Sequence, residues 1–402
     1  MILPIWARAL SATLLVQTMS SFAAAALPLL GPVLTQRWSM APEGIGYVSA
    51  VLAIGICWYL ACGGPMLRHV GPVRSLQLGL AIVAIGLLLL AMPFQMAGLT
   101  GALMIGLGLG PNTPAGSQIL MLTAPAPHRS LIFSIKQAGV PLGGAIAGIL
   151  VADMVLGFGF FGAIATMAAA MLVSALLVQP FQKQLDADRS LDRRWPRMFV
   201  SLSSFAWSIR ILGRHRHLPM LTAIGVSFST VQSCVTAFTA TYLVTQHGKT
   251  LAEAGLLMAA LLATSTLARV AFGWLADRLD RGLLLLAVLA ICTSATVVAM
   301  VTVGLAEPWL AYACMVAVGA TSLGWNGVHM AELARIAPMD HIGEVTSAAS
   351  LCGFIGAVGG PVVFAAAVSV TGSFEWAFVL FAAQLALFGA FTLWRELTLP
   401  RG

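Results

Sequence analysis

The chain has 402 residues, of which 59% are hydrophobic and only 9% charged, and its formal net charge is +7. An ordinary soluble domain has about a quarter charged residues, so this composition excludes a cytosolic enzyme. Nucleic acid is excluded as a partner, because the positive charge is spread over loops on one predicted side and forms no basic groove.

Hydropathy and turn signals divide the chain into about twelve apolar segments, each long enough to cross a bilayer as a helix. Backbone polar groups cannot stay unpaired in hydrocarbon, and the alternating pattern of a membrane β-barrel is absent, so we predict an all-α membrane protein. In the first half the predicted spans are 9–33, 44–62, 75–93, 97–123, 130–153 and 157–179. In the second half they are 218–244, 252–276, 283–304, 308–333, 343–370 and 375–394.

Basic residues are distributed unevenly between the two sides of these spans. Of the 21 Lys and Arg residues, 17 fall on the side that holds the N-terminus, whereas Arg37 and Lys249 lie opposite and Lys136 and Arg269 lie within spans. The positive-inside rule therefore predicts a multi-pass protein of the inner (plasma) membrane with both termini in the cytoplasm. Only an even number of spans lets this bias alternate from loop to loop.

The longest polar interruption covers residues 180–217 and is rich in Arg and Asp. It separates a predicted N-terminal six-helix bundle, 1–180, from a C-terminal six-helix bundle, 218–402, so 181–217 is predicted to be a basic cytoplasmic linker. Its later part, 199–212, is amphipathic enough to lie on the membrane surface as a short helix, and a solvated connector is equally compatible.

The two halves repeat the same sequence landmarks. A glycine-containing triplet ending in Asn, an Ala-Pro pair and a His follow one another in both, and a glycine-rich span comes next. In order, these landmarks are Gly110-Pro111-Asn112, Ala124-Pro125 and His128, then Gly324-Trp325-Asn326, Ala337-Pro338 and His341. Such a duplication is typical of a two-lobed transporter that holds its substrate near the membrane midplane, and neither a channel nor a membrane enzyme requires it.

The loop after the eighth span reads Gly273-Trp274-Leu275-Ala276-Asp277-Arg278-Leu279-Asp280-Arg281. This resembles the cytoplasmic-loop signature of the major facilitator superfamily, G-x-L-A-D-R-x-G-R, with Asp280 in place of the second glycine. The loop after the second span keeps Gly64, Gly71 and Arg74 of the signature but has Arg68 where the family has its aspartate. Together with the span count, the repeat and the central loop, the resemblance covers the whole chain and implies two pseudo-symmetric six-helix bundles.

These two loops are predicted to gate the cytoplasmic mouth. Asp277 lies near the C-terminal end of the eighth helix, where the helix dipole disfavours a carboxylate, so it needs a partner in Arg278, Arg281 or the start of a neighbouring helix. A pair of this kind latches one conformation and breaks in the other, and topogenic charge without a gating role is the alternative. The predicted gating residues are Gly273, Asp277, Arg278, Arg281, Gly64, Gly71 and Arg74.

Two cations lie inside predicted spans, Lys136 about 10 Å and Arg269 about 12 Å from the cytoplasmic ends of helices 5 and 8. The superfamily resemblance implies that these helices flank a central cavity, where two cations repel each other unless an anion lies between them. The run Arg269-Val-Ala-Phe-Gly273 also resembles helix 8 of monocarboxylate and oxalate–formate facilitators. Alternatively, Lys136 snorkels to the interface, or Arg269 pairs with Glu332 or Glu344.

Polar residues complete the predicted site. Gln17, Asn112 and Gln232 are candidate substrate ligands, although each can instead bond between helices. Asn326, His329 and Glu332 share one helix face at i, i+3 spacing. His329 and Glu332 are therefore candidates for proton coupling, with an interfacial ion pair between Glu332 and Arg335 as the alternative.

We therefore predict a secondary active transporter that works by alternating access and carries a small organic anion by proton coupling or exchange. No Walker A sequence, no CxxC pair and no catalytic triad is present, so we expect no ATP use, no metal, no cofactor and no enzymatic activity. We expect a monomer in the lipid bilayer. Two alternatives stay open: a drug–proton antiporter, which the run Gly139-Val-Pro141-Leu-Gly143-Gly144 partly resembles, and, more remotely, an intramembrane enzyme.

Overall fold

A computed structural model of the protein describes residues 4–39, 45–182, 186, 209–213, 217–302 and 307–398. Across these residues the chain is almost entirely helical and contains no β-strand. Most of the predicted amphipathic segment 199–212 lies outside the described residues, and 209–212 are helical.

Twelve helical spans, labelled α1 to α12, follow one another along the described chain. The first four are α1 (Ile5–Leu29), α2 (Ile45–Cys62, continued by Gly64–Val70), α3 (Pro72–Leu90) and α4 (Gln95–Leu109, continued by Asn112–Thr123). The segment Arg129–Val178 holds two helices joined at a kink, where Gly159 has a non-helical φ of 71°; it supplies α5, within Ala126–Val151, and α6, within Asp153–Phe181. The second half has α7 (Leu218–His247), α8 (Leu251–Leu279), α9 (Gly282–Thr302), α10 (Pro308–Leu323, continued by Asn326–Ile336), α11 (Ile342–Thr371) and α12 (Phe374–Thr398).

Three of the twelve spans in the described chain are divided helices: α2, α4 and α10. Among the described residues, nine helices are by themselves long and apolar enough to cross a membrane, and the bent pair of α2 makes a tenth. The remaining two are α4 and α10, which break at Gly110-Pro111 and at Gly324-Trp325. The sequence predicted continuous spans here, 97–123 and 308–333, and the repeated landmarks mark the breaks instead. In α4 the break has a clear cause, since Pro111 has no N–H to donate within a helix.

The described residues form two compact units. The first consists of Met1–Pro125, Lys136–Ile211 and Pro338–Ala348, and the second of Ala126–Ile135, Leu212–Ala337 and Ala349–Gly402. Each unit therefore contains most of one half of the chain together with a short segment at the start of α5 or α11 from the other half.

Glycines allow the helices of the first unit to pack closely. A Cβ atom on Gly86 of α3 would lie 2.6 Å from the carbonyl oxygen of Gly101 in α4, and one on Gly101 would lie 2.5 Å from that of Gly86. Small residues at helix crossings let backbones approach in this way in membrane proteins, where packing replaces the hydrophobic effect as the driving force.

The outer surface carries large apolar side chains, as a lipid-facing surface must. Leu156 is 84% exposed and Val370 is 86% exposed. Water would disfavour so much exposed apolar surface, whereas acyl chains solvate it. The protein is thus an all-α, multi-pass membrane protein with twelve spans, as the sequence predicts.

Candidate functional site

Lys136 lies in the interior of the first unit. Its side chain is 3% exposed, and its Nζ lies 3.0 Å from the carbonyl oxygen of Asn112 and 3.4 Å from Oε1 of Gln137. Gly116 makes room for it, since a Cβ atom there would lie 2.9 Å from Lys136 Cε. A side chain buried in this way does not fit the alternative in which it snorkels to the interface. Among the described residues no carboxylate oxygen lies within ion-pair distance of Nζ.

Helix α1 crosses α5 beside this lysine. A Cβ atom on Gly139 would lie 2.9 Å from Oγ1 of Thr18 and 3.2 Å from Cγ of Gln17, so the side chains of α1 adjoin this glycine. Ser20 Oγ donates to Asn112 Oδ1 at 3.5 Å and links α1 to the break of α4. Six buried polar residues thus form one group, the Lys136 cluster: Gln17, Thr18, Ser20, Asn112, Lys136 and Gln137.

Arg269 is the buried cation of the second unit. It is 5% exposed, and its Nε donates to the carbonyl oxygen of Leu323 at 3.1 Å. Leu323 ends the first part of α10, where unpaired carbonyl groups carry partial negative charge. Lys136 and Arg269 therefore each contact a backbone carbonyl at the break of a divided helix. Of the two carboxylates predicted as alternative partners of Arg269, Glu332 pairs with Arg335 and Glu344 pairs with Arg68.

The amide of Gln232 links α7 to the break of α10. Its Oε1 accepts from Trp325 Nε1 at 3.0 Å and from Asn326 Nδ2 at 3.2 Å. The indole of Trp325 stacks on Phe228 with ring centroids 4.9 Å apart. The sequence predicted Gln232 and Asn326 as site residues but treated Trp325 only as part of a repeat. Trp325 occupies the repeat position that Pro111 has in the first half, and this large substitution was the signal that could have identified it.

His329 and Glu332 share a helix face but have different partners. Nε2 of His329 lies 2.8 Å from the carbonyl oxygen of Leu221, and Gly225 leaves room for the ring. The other ring nitrogen, Nδ1, is buried and has no hydrogen-bond partner among the described residues. Glu332 is buried, and its Oε2 lies 2.6 Å from Nη2 of Arg335, which is half-exposed. The ion pair that the sequence offered as the alternative is thus present.

Asp277 binds the start of a helix, the third of the partners that the sequence allowed. Its two carboxylate oxygens accept from the backbone N–H groups of Ser130 at 2.8 Å and Leu131 at 2.7 Å, in the first turn of α5. A carboxylate is favoured at a helix N-terminus by the dipole and by the unpaired N–H groups. Gly273 adjoins Ser134 so closely that no side chain fits between them.

The other residues of the signature lie in the last turns of α8 and just after it, and they make other contacts. Arg278 does not pair with Asp277, because its guanidinium stacks over the ring of Trp274 at 4.6 Å. Asp280 has φ of 48° and so adopts the left-handed turn that the signature assigns to glycine, while Arg281 is exposed. Asp is one of the few side chains that tolerate this backbone conformation.

The equivalent segment of the first half was predicted to be a loop but forms the second part of α2, and its ion pair has the opposite polarity. Arg68 forms an ion pair with Glu344, whose other carboxylate oxygen lies 2.6 Å from His341 Nδ1. Glu344 stands in the first turn of α11, packed against Gly64. In the second loop a carboxylate binds the start of α5, whereas here an arginine binds a carboxylate at the start of α11. The sequence showed Arg68 at the aspartate position but did not identify Glu344 as its partner.

A second aspartate shapes the turn between α2 and α3. Gly71 has φ of 95°, in the left-handed region that glycine adopts at low cost. Asp186 accepts from the backbone N–H groups of Val73 at 2.8 Å and Arg74 at 3.1 Å. Gly71 and Arg74 therefore belong to a turn held by Asp186, a residue that the sequence did not single out.

Comparisons with known proteins identify the fold and the family. The family model described as Major Facilitator Superfamily matches residues 10–361. The 4-hydroxybenzoate transporter PcaK of Pseudomonas aeruginosa is 30% identical over 141 residues, which cover 34% of this chain and 31% of that protein. The E. coli fucose:proton symporter FucP is 15% identical, with a TM-score of 0.77 over 97% of this chain and 99% of that chain. The human organic anion transporter TETRAN is also 15% identical, with a TM-score of 0.75 over 97% of this chain and 100% of that chain.

Proposed function

The chain belongs to the major facilitator superfamily and is a secondary membrane transporter rather than an enzyme, and from this premise we propose that it carries small organic anions. One observation carries the proposal. Lys136 is 3% exposed, and its ammonium contacts a backbone carbonyl and an amide oxygen, with no carboxylate nearby among the described residues.

A buried cation of this kind favours an anionic ligand. One charged side chain near the middle of a bilayer costs at least about 2.5–3.5 kcal/mol, and neutral oxygen atoms compensate only part of that cost. A substrate carboxylate beside Nζ supplies the missing charge. Gln17 and Asn112 are the proposed polar ligands of the first unit. In the second unit Arg269, Gln232 and Asn326 stay the predicted binding residues.

The partial relative supports the same class of substrate. PcaK is named a 4-hydroxybenzoate transporter, and 4-hydroxybenzoate is a small aromatic carboxylate. The chain spans about a third of that relative's length, so the substrate of this protein is a proposal that rests chiefly on Lys136.

We propose that the carrier acts as a monomer by alternating access, in the inner membrane with both termini in the cytoplasm, and uses a proton gradient or exchange. His329 is the better of the two coupling candidates, because its buried Nδ1 has no partner among the described residues, whereas Glu332 is held by Arg335. The segments that contain Asp277, at the end of α8, and Arg68, in the second part of α2, are the proposed gates.

Uptake of labelled carboxylates into proteoliposomes, with and without a pH step, tests this function. We expect Lys136→Gln to lower uptake about 10- to 100-fold, because a charge-assisted hydrogen bond contributes about 1.5–3 kcal/mol. Lys249→Gln is the matched control, since Lys249 follows α7 and lies outside the Lys136 cluster. Equal uptake by wild type and Lys136→Gln would refute the anion site. Absence of carboxylate uptake together with increased drug tolerance of overexpressing cells would favour the efflux alternative.

A further inference from the structure

Two side chains of the Lys136 cluster have unused hydrogen-bonding capacity. Gln17 is 8% exposed and Thr18 is 7% exposed, and neither Gln17 Oε1 nor Thr18 Oγ1 has a hydrogen-bond partner among the described residues. Buried polar atoms are bonded in the great majority of cases, so an unpaired pair on consecutive residues points to a group that binds there.

These unpaired atoms lie one helical turn from the buried cation. Thr18 Oγ1 and the side chain of Gln17 adjoin Gly139, which follows Lys136 by three residues on the same face of α5. The axial separation along α5 is about 4.5 Å. Two neighbouring polar groups have partners within the protein, since Ser20 Oγ donates to Asn112 Oδ1 and Lys136 Nζ donates to the Asn112 carbonyl.

The chemistry of these atoms selects among possible ligand groups. An amide oxygen only accepts hydrogen bonds, while a threonine hydroxyl both donates and accepts. A second carboxylate is disfavoured because Gln17 Oε1 has no proton to donate to it. An ammonium group is disfavoured because Lys136 stands one turn away and repels it. A hydroxyl group suits both atoms, because it can donate a hydrogen bond to Gln17 Oε1 and can either accept one from the Thr18 hydroxyl or donate one to it.

We infer that Gln17 and Thr18 recognise a hydroxyl group of the substrate, so that the carrier selects hydroxylated carboxylates over the same acids without the hydroxyl. This inference rests on the proposed anion transport. It assigns the carboxylate to Lys136 and the hydroxyl to α1. A site built to bond a hydroxyl rejects the analogue that lacks it, because its buried polar groups are then left unpaired.

Benzoate and its ortho, meta and para hydroxy derivatives provide the test in proteoliposomes. We expect wild type to take up at least one hydroxy derivative tenfold or more faster than benzoate at equal low concentration. The meta and para derivatives are expected to be favoured over the ortho derivative, because Gly139 and Lys136 are a full turn apart. If wild type takes up every hydroxy derivative at about the same rate as benzoate, so that the uptake ratio is near one, the inference is wrong. That result would indicate that a water molecule is bound to Gln17 and Thr18 instead.

Two substitutions and one matched control assign the effect to α1. Thr18→Val and Gln17→Met keep the size of each side chain, and we expect each to lower the ratio of hydroxybenzoate uptake to benzoate uptake toward one. Thr13→Val is the control, because the Thr13 hydroxyl is already bonded to Ala9 in its own helix at 2.9 Å. An unchanged ratio in both Thr18→Val and Gln17→Met would contradict the inference. Benzoate uptake that depends on Lys136 but not on the hydroxyl would leave anion transport intact, so the two proposals fail separately.

Discussion

For the two buried cations, Lys136 and Arg269, the sequence predicted the burial but not the groups that they contact. The sequence placed Lys136 and Arg269 inside the membrane from the distance to flanking charges alone. It did not predict that each would meet a backbone carbonyl at a helix break, of Asn112 and of Leu323. Both breaks were visible as repeated triplets, but a triplet does not say whether a helix continues through it.

The two coupling candidates are distinguished by variants at His329 and Glu332. We expect His329→Gln to abolish the stimulation of uptake by a pH step while exchange at equal pH persists, because the ring has a buried nitrogen without a partner. Glu332→Gln breaks the pair with Arg335, and we expect it to lower the free energy of unfolding by about 3 kcal/mol or less, since Arg335 is half-exposed. Uptake with and without a pH step, and thermal unfolding in detergent, measure the two effects. Loss of pH stimulation only in Glu332→Gln would reverse the assignment.

At the crossings between helices, glycine determines how closely a helix can approach its neighbour. Adjacent glycines of α5 differ completely in this respect. Gly143 faces the backbone of α1, where a Cβ atom would lie 2.7 Å from the Phe22 nitrogen and closer still to the Thr18 carbonyl, while nothing lies within 4 Å of one on Gly144. The sequence does not distinguish the two glycines, and only the position of α1 shows that Gly143 is in a close helix contact and Gly144 is not.

Alanine at each of these two positions tests the crossing. We expect Gly143→Ala to destabilise the protein by about 1–3 kcal/mol, because the helices must move apart. Gly144→Ala is the neighbouring control, and we expect it to be neutral or to stabilise by up to about 1 kcal/mol through helix propensity. Thermal unfolding of purified protein in detergent measures both. Equal destabilisation by the two variants would show that α1 and α5 do not cross at Gly143.

The ion pair between Arg68 and Glu344 can be tested by exchanging its two charges. Arg68→Glu alone brings two carboxylates together, and we expect it to impair stability and uptake. The double variant Arg68→Glu with Glu344→Arg restores an ion pair, and we expect a coupling energy of about 1–3 kcal/mol between the two sites. A cycle of the two single variants and the double variant, scored by unfolding and by uptake, provides the measurement. Additive losses would mean that the pair does not hold the segment Pro338–Ala348 in place.

The membrane topology of the whole molecule, meaning the side on which each terminus and loop lies, is open to a direct test. Twelve spans and the one-sided distribution of basic residues predict that both termini are cytoplasmic and that the loop of Lys249 lies outside. Fluorescent reporters fused to either end should give cytoplasmic signal, and a cysteine in place of Lys249 should react with an impermeant reagent added to intact cells. Termini on opposite sides of the membrane would be incompatible with an even number of spans.

The sequence by itself determined the membrane class, the twelve spans, the internal repeat, the family signature and the two intramembrane cations. These features depend on hydropathy and on spacing within one helix, which are local properties of a chain in a bilayer. Only the tertiary structure decided that Asp277 binds the start of α5 and that Arg68 pairs with Glu344. It also decided that, among the described residues, Gln17 Oε1 and Thr18 Oγ1 have no hydrogen-bond partner. Each of these outcomes depends on which helices cross, so residues far apart in the sequence decide whether a polar atom finds a partner.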